Sequence, residues 1–581
     1  MVIHERVSEL EAEEHRAKFD ELIGVEYKTT EEAPSEALYD DWIKIIPREQ
    51  YGTVSLVSTP ASFSNKFQDL LKAGENTISA SPNGNSQLEA FIVEFVEENG
   101  YEEVYRAKRN PNIVKTEKDK IIATQHSDEF LRDIRDRLNE FAEKIEKTDV
   151  PEQYKDEYRR LVSNEHQYIK AAMSLCLPDF TNLQKSPESW GEYIDIDSSR
   201  ESGGVVLPYE QEAKQVLVRN KHKGIEARKE NMEEVLTVFD FNESEKEYLE
   251  IDSFKDAYEM DSDQIKKLIE VLINRMGISD WIVEIDNDST VINVEQKAKK
   301  IKIPSDRILE GKNAVYVPSH EIFHAVRGEN GSNQGLGILR DGVDEYLVTE
   351  EGAGAVAEMI MGEEFGHERQ LKFAARYHAV AMALKARMND DGGYEPVYST
   401  QDIFNELTDY GLSKKDAAET VWRVVRGTSL KRKTLFVQVE KDGNTYHIPT
   451  AECYTKDTAY FEGQMQVFQW IKNHVPLKKG MREDVTINSP DFSDQFLARI
   501  GLSREEADGM KPEIREHALR YGHLVQLGRK TLIDIINVLG AGKMRLDFLE
   551  DGSNWFDLLH FGQANGMIDY SNILKSKKFK H

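Results

Sequence analysis

A mainly helical α+β fold, with a small sheet leading into a buried helix, is predicted by three observations. Apolar residues recur at Ile265, Leu268, Ile269, Leu272, Ile273 and Met276, the spacing of one helical face. Three short β-type runs follow, at 281–285, 290–294 and 299–303. Then come an apolar stretch from Ala314 to Val326 and a segment from Thr349 to Glu358 dominated by Gly and Ala, both helical in pattern. A helix this apolar all round belongs in a core.

Taken in order, residues 1–22 read as a charged helix, 51–58 as a strand and Ser81-Pro82-Asn83-Gly84-Asn85 as a turn. Residues 130–145 form a long amphipathic helix with mixed charges. The stretch to 150 carries no recognisable chemistry and is expected to be an accessory region. Helical pattern continues from Pro151 and breaks in a polar loop at 195–204. Asp261 with Gln264 three residues on is a capping box that starts the next helix, and Gly277 ends it. An Asp-Asn-Asp-Ser turn joins the first two β runs. Pro318 either opens the helix that follows or kinks it. Further helices are expected at 370–386, 400–410 and 414–425, a linker at 481–495, and a helical C-terminal region closing in a short basic end. The domain plan is therefore 1–150 accessory, 151–480 catalytic and 481–581 helical.

Composition narrows the classes of function. The chain has 581 residues, more than one compact core accommodates. Its net charge of −30 leaves no basic excess to neutralise phosphates, which argues against nucleic acid, and against an anionic membrane or acidic polymer as main target. The two cysteines, Cys176 and Cys453, are far apart and indicate no disulfide framework. There is no apolar run of membrane-spanning length and no apolar core in the first 25 residues, so a cytoplasmic location is expected.

The chemistry lies in His320-Glu321-Ile322-Phe323-His324. Residues four apart share a helix face, so His320 and His324 can offer two imidazoles to one metal ion. Glu321 lies one residue round from that face, where it can take a proton from water without being a ligand. Zinc needs a third protein ligand and an open position. Glu351 supplies it most simply, because small residues follow directly and let the carboxylate approach; its neighbour Glu350 is the competing choice. Glu358 lies seven residues on, near the same face, and can either hydrogen-bond a ligand histidine or sit in solvent. The pattern alone supports a zinc-dependent hydrolase, with Zn²⁺ as cofactor; a small sheet before the His-Glu helix fits a zincin-like catalytic domain, and a gluzincin-type metallopeptidase is the expectation.

Several segments resemble the microtubule-associated tyrosine carboxypeptidase family and its bacterial relatives with a Gln-Glu-Gly-Leu-Ala motif. They are His320-Glu321-Ile322 with His324, Arg327-Gly328, Asn330-Gly331, Gln334, Glu350-Glu351-Gly352, Arg423-Val424-Val425-Arg426-Gly427 and Tyr454-Thr455-Lys456-Asp457, with Tyr460 and Gly463 following. The resemblance covers roughly 205–475 in the right order. The chain departs from the family in having two residues between Glu321 and His324 where the family has three. It also has Glu351-Gly352-Ala353-Gly354 where the family has Glu-Gly-Leu-Ala. The resemblance implies a zinc metallocarboxypeptidase with Glu321 as general base and His320, His324 and Glu351 as ligands. A peptide or protein C-terminal tail would be the substrate.

A carboxypeptidase must neutralise a terminal carboxylate. Arg423 and Arg426, which share a helix face, and Lys456 are candidates for that role. The developing oxyanion needs a donor besides the metal, for which Tyr460 leads and Tyr377-His378 is a further choice. Two other classes stay open: a non-catalytic protein with a structural or regulatory zinc centre, and an amidase or deacylase using the same site. A purely structural zinc has no use for Glu321.

Overall fold

The computed structural model describes residues 128–149, 155–163, 207–223, 231–287, 291–333, 337–343, 346–361, 367–425, 434–441, 444–451, 455–475, 531–546 and 567–574, with single positions at 38, 41, 42, 44, 152, 453, 524 and 527. The expected strand at 51–58, the turn at 81–85, the N-terminal helix, the linker at 481–495 and the basic end lie outside these residues.

The architecture is mainly helical α+β with small sheets. The longer helices α1 (Asp128–Lys147) and α2 (Glu210–Lys223), and two short ones at Met232–Leu236 and Glu243–Leu249, precede the capping-box helix α3 (Ser262–Met276). Both halves of the box form: Asp261 accepts from the Gln264 amide at 2.9 Å, and the Gln264 side chain accepts from the Asp261 amide at 3.0 Å. Gly277, at φ 77°, ends the helix in the left-handed conformation that glycine adopts without strain. The expected apolar stripe, Ile265 to Met276, is buried.

The strands β1 (Ile282–Asp286), β2 (Asn293–Glu295) and β3 (Lys300–Pro304) form one sheet in the order β1-β3-β2. β3 runs parallel to β1 and antiparallel to β2. The two strands joined by the polar turn are thus not neighbours. Ile301 and Ile303 are fully buried, whereas Ile282 is half exposed, so the most buried strand takes the centre and β1 an edge.

The sheet leads into α4 (Asn313–Asn333). Pro318 lies inside this helix rather than at its start, so the Ala314 carbonyl loses its usual amide partner. Ala314, Val315, Ile322, Phe323, Ala325 and Val326 are buried, and α5 (Tyr346–Met361) packs beside α4. Behind them stand α6 (His367–Leu384), α7 (Thr400–Asp409), α8 (Lys414–Val425), the hairpin of β4 (Thr434–Lys441) and β5 (Asn444–Ala451), and α9 (Thr458–His474).

Glycine sets the closest approach in the core. A Cβ at Gly352 of α5 would stand 2.1 Å from the Gly463 carbonyl carbon of α9, and one at Gly463 would stand 1.9 Å from the Val348 oxygen. Neither distance is physically possible, so α5 and α9 meet backbone to backbone. Among the described residues no helix is long and apolar enough to cross a membrane.

Candidate metal centre

α4 and α5 bring His320, His324 and Glu351 together, with one donor atom from each lying within 4.8 Å of the others. Glu351 Oε2 is 3.2 Å from His320 Nε2 and 3.8 Å from His324 Nε2. Both imidazoles thus turn the same nitrogen toward one carboxylate. Their other nitrogens face acids on α5: His320 Nδ1 lies 2.8 Å from Glu358, and His324 Nδ1 lies 2.6 Å from Glu350. Neither contact has hydrogen-bond geometry, but the negative charge behind each ring favours the proton on Nδ1 and leaves the Nε2 lone pair for a cation. Gly354 is part of the same fit, since a Cβ there would come within 2.7 Å of the His320 ring.

The geometry separates the two adjacent acids. Glu351 points between the imidazoles. Glu350 turns the other way and pairs with Arg327 Nη1 at 2.5 Å, with Lys543 Nζ 3.5 Å away. Glu358 is fully buried against His320 rather than solvated.

The electrostatics follow from burial and pairing. Burial alone would lower His320, but contact with Glu351 and Glu358 carries it up to about 10. His324 is raised despite burial, chiefly by Glu350. Burial would raise Glu350 and Glu351, yet the cations near Glu350 and the imidazoles beside Glu351 hold both carboxyls low. Glu321 goes the other way: burial pushes its carboxyl up, and the two neighbouring imidazoles only partly offset this. A cluster that retains protons on imidazoles facing a carboxylate is one where a divalent cation can displace them. Two Nε2 atoms and one carboxylate oxygen are also a donor set that suits zinc, so the residues fit the ion.

Beyond His320 lies Tyr460, with its ring centroid 6.4 Å from the imidazole and stacked on Phe373 at 5.3 Å. Burial first, then the charge of Glu351, raises the Tyr460 phenol and keeps it protonated. Also near Tyr460 is an ion cluster from α6, α8 and the start of α9. Arg423 forms a two-pronged pair with fully buried Asp457: its Nε contacts Oδ2, and its Nη2 donates to Oδ1 at 3.0 Å. Arg376 lies 5.7 Å from the Tyr460 ring centroid and reaches Glu419 through Nη2 at 3.4 Å. Its Nε is buried without a hydrogen bond, 3.8 Å from Asp457.

The sequence candidates fall into four groups. His320, Glu321, His324, Glu351 and Tyr460 come together. Arg423 is close by, with its fork already occupied by Asp457, and Lys456 is half-buried beside that pair. Arg426 lies outside the described residues. Tyr377 turns away, its hydroxyl accepting from the Tyr209 amide at 3.2 Å, and His378 packs on Tyr410.

Sequence reasoning missed Arg376, although its signal was present: a lone charge in the apolar run from Phe373 to Leu384 must be buried and paired. It also missed Arg327 as the partner of Glu350. Positions 320, 324 and 327 follow one helix stripe, so that residue too was readable.

The family model described as microtubule-associated tyrosine carboxypeptidase matches residues 214–442. The resemblance read from the sequence is therefore shown over that segment, which includes all three residues of the candidate metal cluster and stops short of Asp457 and Tyr460. No curated protein and no solved structure matches the chain.

Proposed function

We propose that the protein is a zinc metallocarboxypeptidase with a gluzincin-type centre, removing a C-terminal residue from peptides or protein tails. The observation that carries this reading is the convergence of His320 Nε2, His324 Nε2 and Glu351 Oε2, with an acid behind each imidazole. The family match over the same residues supports the carboxypeptidase class.

Zinc held by His320, His324 and Glu351 would supply a Lewis acid for the scissile carbonyl and a lowered pKa for a bound water. Glu321 takes the proton of the attacking water and returns it to the leaving amine; its raised carboxyl suits a group that must both accept and release. Tyr460, kept protonated, donates a hydrogen bond to the oxygen on which negative charge develops.

Arg376 is the better anchor for the substrate's terminal carboxylate. Arg423 is committed to Asp457, whereas Arg376 has an unfilled Nε and lies close to the Tyr460 ring. The match ends on a family named for tyrosine, and Tyr460 stacked on Phe373 offers an aromatic wall for such a side chain.

The test compares one peptide as free acid and as C-terminal amide, with products identified by mass. A charge-assisted carboxylate pair contributes roughly 1.5–3 kcal/mol, so amidation should lower kcat/KM by about ten- to more than a hundredfold. Equal rates on both, or internal cuts, would replace this reading with an endopeptidase.

A further inference from the structure

The metal helix is gripped from behind by a part of the chain far beyond the family match. Arg327 donates through Nε to the Gly542 carbonyl at 2.9 Å and through Nη2 to the Met544 carbonyl at 3.0 Å. The Lys543 amide donates to the Leu339 carbonyl at 2.8 Å, and the Val343 amide donates back to the Lys543 carbonyl at 3.1 Å. Asn330 joins two pieces of this region: its Nδ2 donates to the Gly540 carbonyl and its Oδ1 accepts from the Ile568 amide, both at 2.8 Å. The Tyr570 hydroxyl donates to the Ser319 carbonyl at 2.6 Å, one residue before His320.

Within this grip Lys543 is unusual. It is buried, its ammonium lies 5.7 Å from the Tyr346 ring centroid, and its charge is directed at Glu350. Glu350 thus has a cation on each oxygen, Arg327 on Oε2 and Lys543 near Oε1, and Oε1 is also the atom facing His324 Nδ1. Arg327 holds Oε2 by a hydrogen bond, and the charge of Lys543 beside Oε1 opposes rotation of the carboxylate away from the His324 ring. Burying an ammonium costs several kcal/mol, and an apolar residue of similar size is often no worse for stability. Fold stability alone therefore gives little reason for a lysine here.

We infer that residues 540–546 complete the metal centre and that Lys543 is a positioning residue, holding Glu350 so that His324 presents Nε2 to the ion. The inference rests on the zinc reading above. Lys543→Met in the full chain should weaken zinc binding by about 10–100-fold, the range for partners that orient a ligand. Lys543→Arg should keep most of the affinity. In a Glu350→Gln background, Lys543→Met should cost almost nothing further, because its path of action is already cut.

A readout independent of zinc is the His324 tautomer, seen by ¹⁵N NMR of histidine-labelled metal-free protein at a pH high enough for the His324 ring to be neutral. The native chain should show the Nδ1–H form, and Lys543→Met a mixture. Lys543→Gln serves in its place if the Met variant does not fold. An unchanged tautomer in the variant overturns the inference, as does the same loss of affinity with or without Glu350. If the native chain binds no zinc, the metallopeptidase reading fails, and the tautomer alone decides the role of Lys543.

Discussion

Two clusters lie near Tyr460. In one, His320, His324 and Glu351 turn their donor atoms toward a single point, each imidazole backed by an acid. In the other, Arg376, Arg423, Glu419 and Asp457 satisfy one another's charge. The first cluster turns its donor atoms inward; the second is close to neutral and keeps only Arg376 partly uncommitted. This difference separates two jobs. Holding a cation needs ligands oriented from behind, and recognising an anion needs a cation that its own acids do not fully occupy.

The largest effect should come from breaking the inward-facing cluster. Glu351→Ala removes a ligand, and zinc affinity should fall by well over the roughly 100-fold that bounds the loss of an orienting partner. Glu350→Gln removes only an orienting group, so its loss should stay within about 10–100-fold. Glutamine is the right replacement, because alanine would strand the buried cations Arg327 and Lys543. If isothermal titration finds Glu350→Gln the more damaging change, the two acids have been assigned in reverse.

The next effect sharpens the other side. Arg376→Gln leaves Asp457 with Arg423 and Glu419 with Lys372, so the fold keeps its pairs. Cleavage of a free-acid peptide should drop about ten- to a hundredfold while its amide is unaffected. Arg423→Ala should instead strip the two-pronged partner from a fully buried carboxylate and lower thermal stability, at a cost of about 3–5 kcal/mol. Identical behaviour of the two variants in both assays would remove the distinction between anchor and scaffold.

The smallest effect is in pH. His320 is raised from 6.5 to about 10 in the metal-free protein. A raised imidazole stabilises the fold fully below its unfolded pKa and loses that contribution as pH climbs through its folded one. The metal-free chain should therefore lose stability between pH 6.5 and 10, and a zinc-loaded chain, with no proton to lose from Nε2, should not. Melting temperatures with and without zinc should diverge as pH rises across that window. A constant gap would mean that His320 carries no such proton.

Much of the metal cluster was legible because its information is local. His320 and His324 share a face by spacing alone, and Glu351 and Glu358 share one on the next helix. The choice between Glu350 and Glu351 was not settled by spacing, since adjacent positions on a helix differ by about a third of a turn. What separates them in the fold is Arg327 and Lys543, the latter nearly two hundred residues away in sequence, which draw Glu350 away from the point Glu351 faces. The sheet shows the same limit. Its three strands could be read from composition, whereas the parallel pairing of β1 with β3 depends on which strand buries Ile301 and Ile303. Arg423 was chosen from sequence as a free cation, and only the fold reveals Asp457 in its fork.

The central claim is a zinc ion held by His320, His324 and Glu351 and served by a base that is not a ligand. The measurement that reaches it most directly is zinc stoichiometry, by metal analysis of purified native protein and of Glu321→Gln, with peptide hydrolysis followed on the same samples. The account predicts one zinc per chain in both proteins, and hydrolysis lowered by about 10²–10⁴-fold in the variant alone. Absence of zinc from the native chain, or its loss on Glu321→Gln, would contradict it.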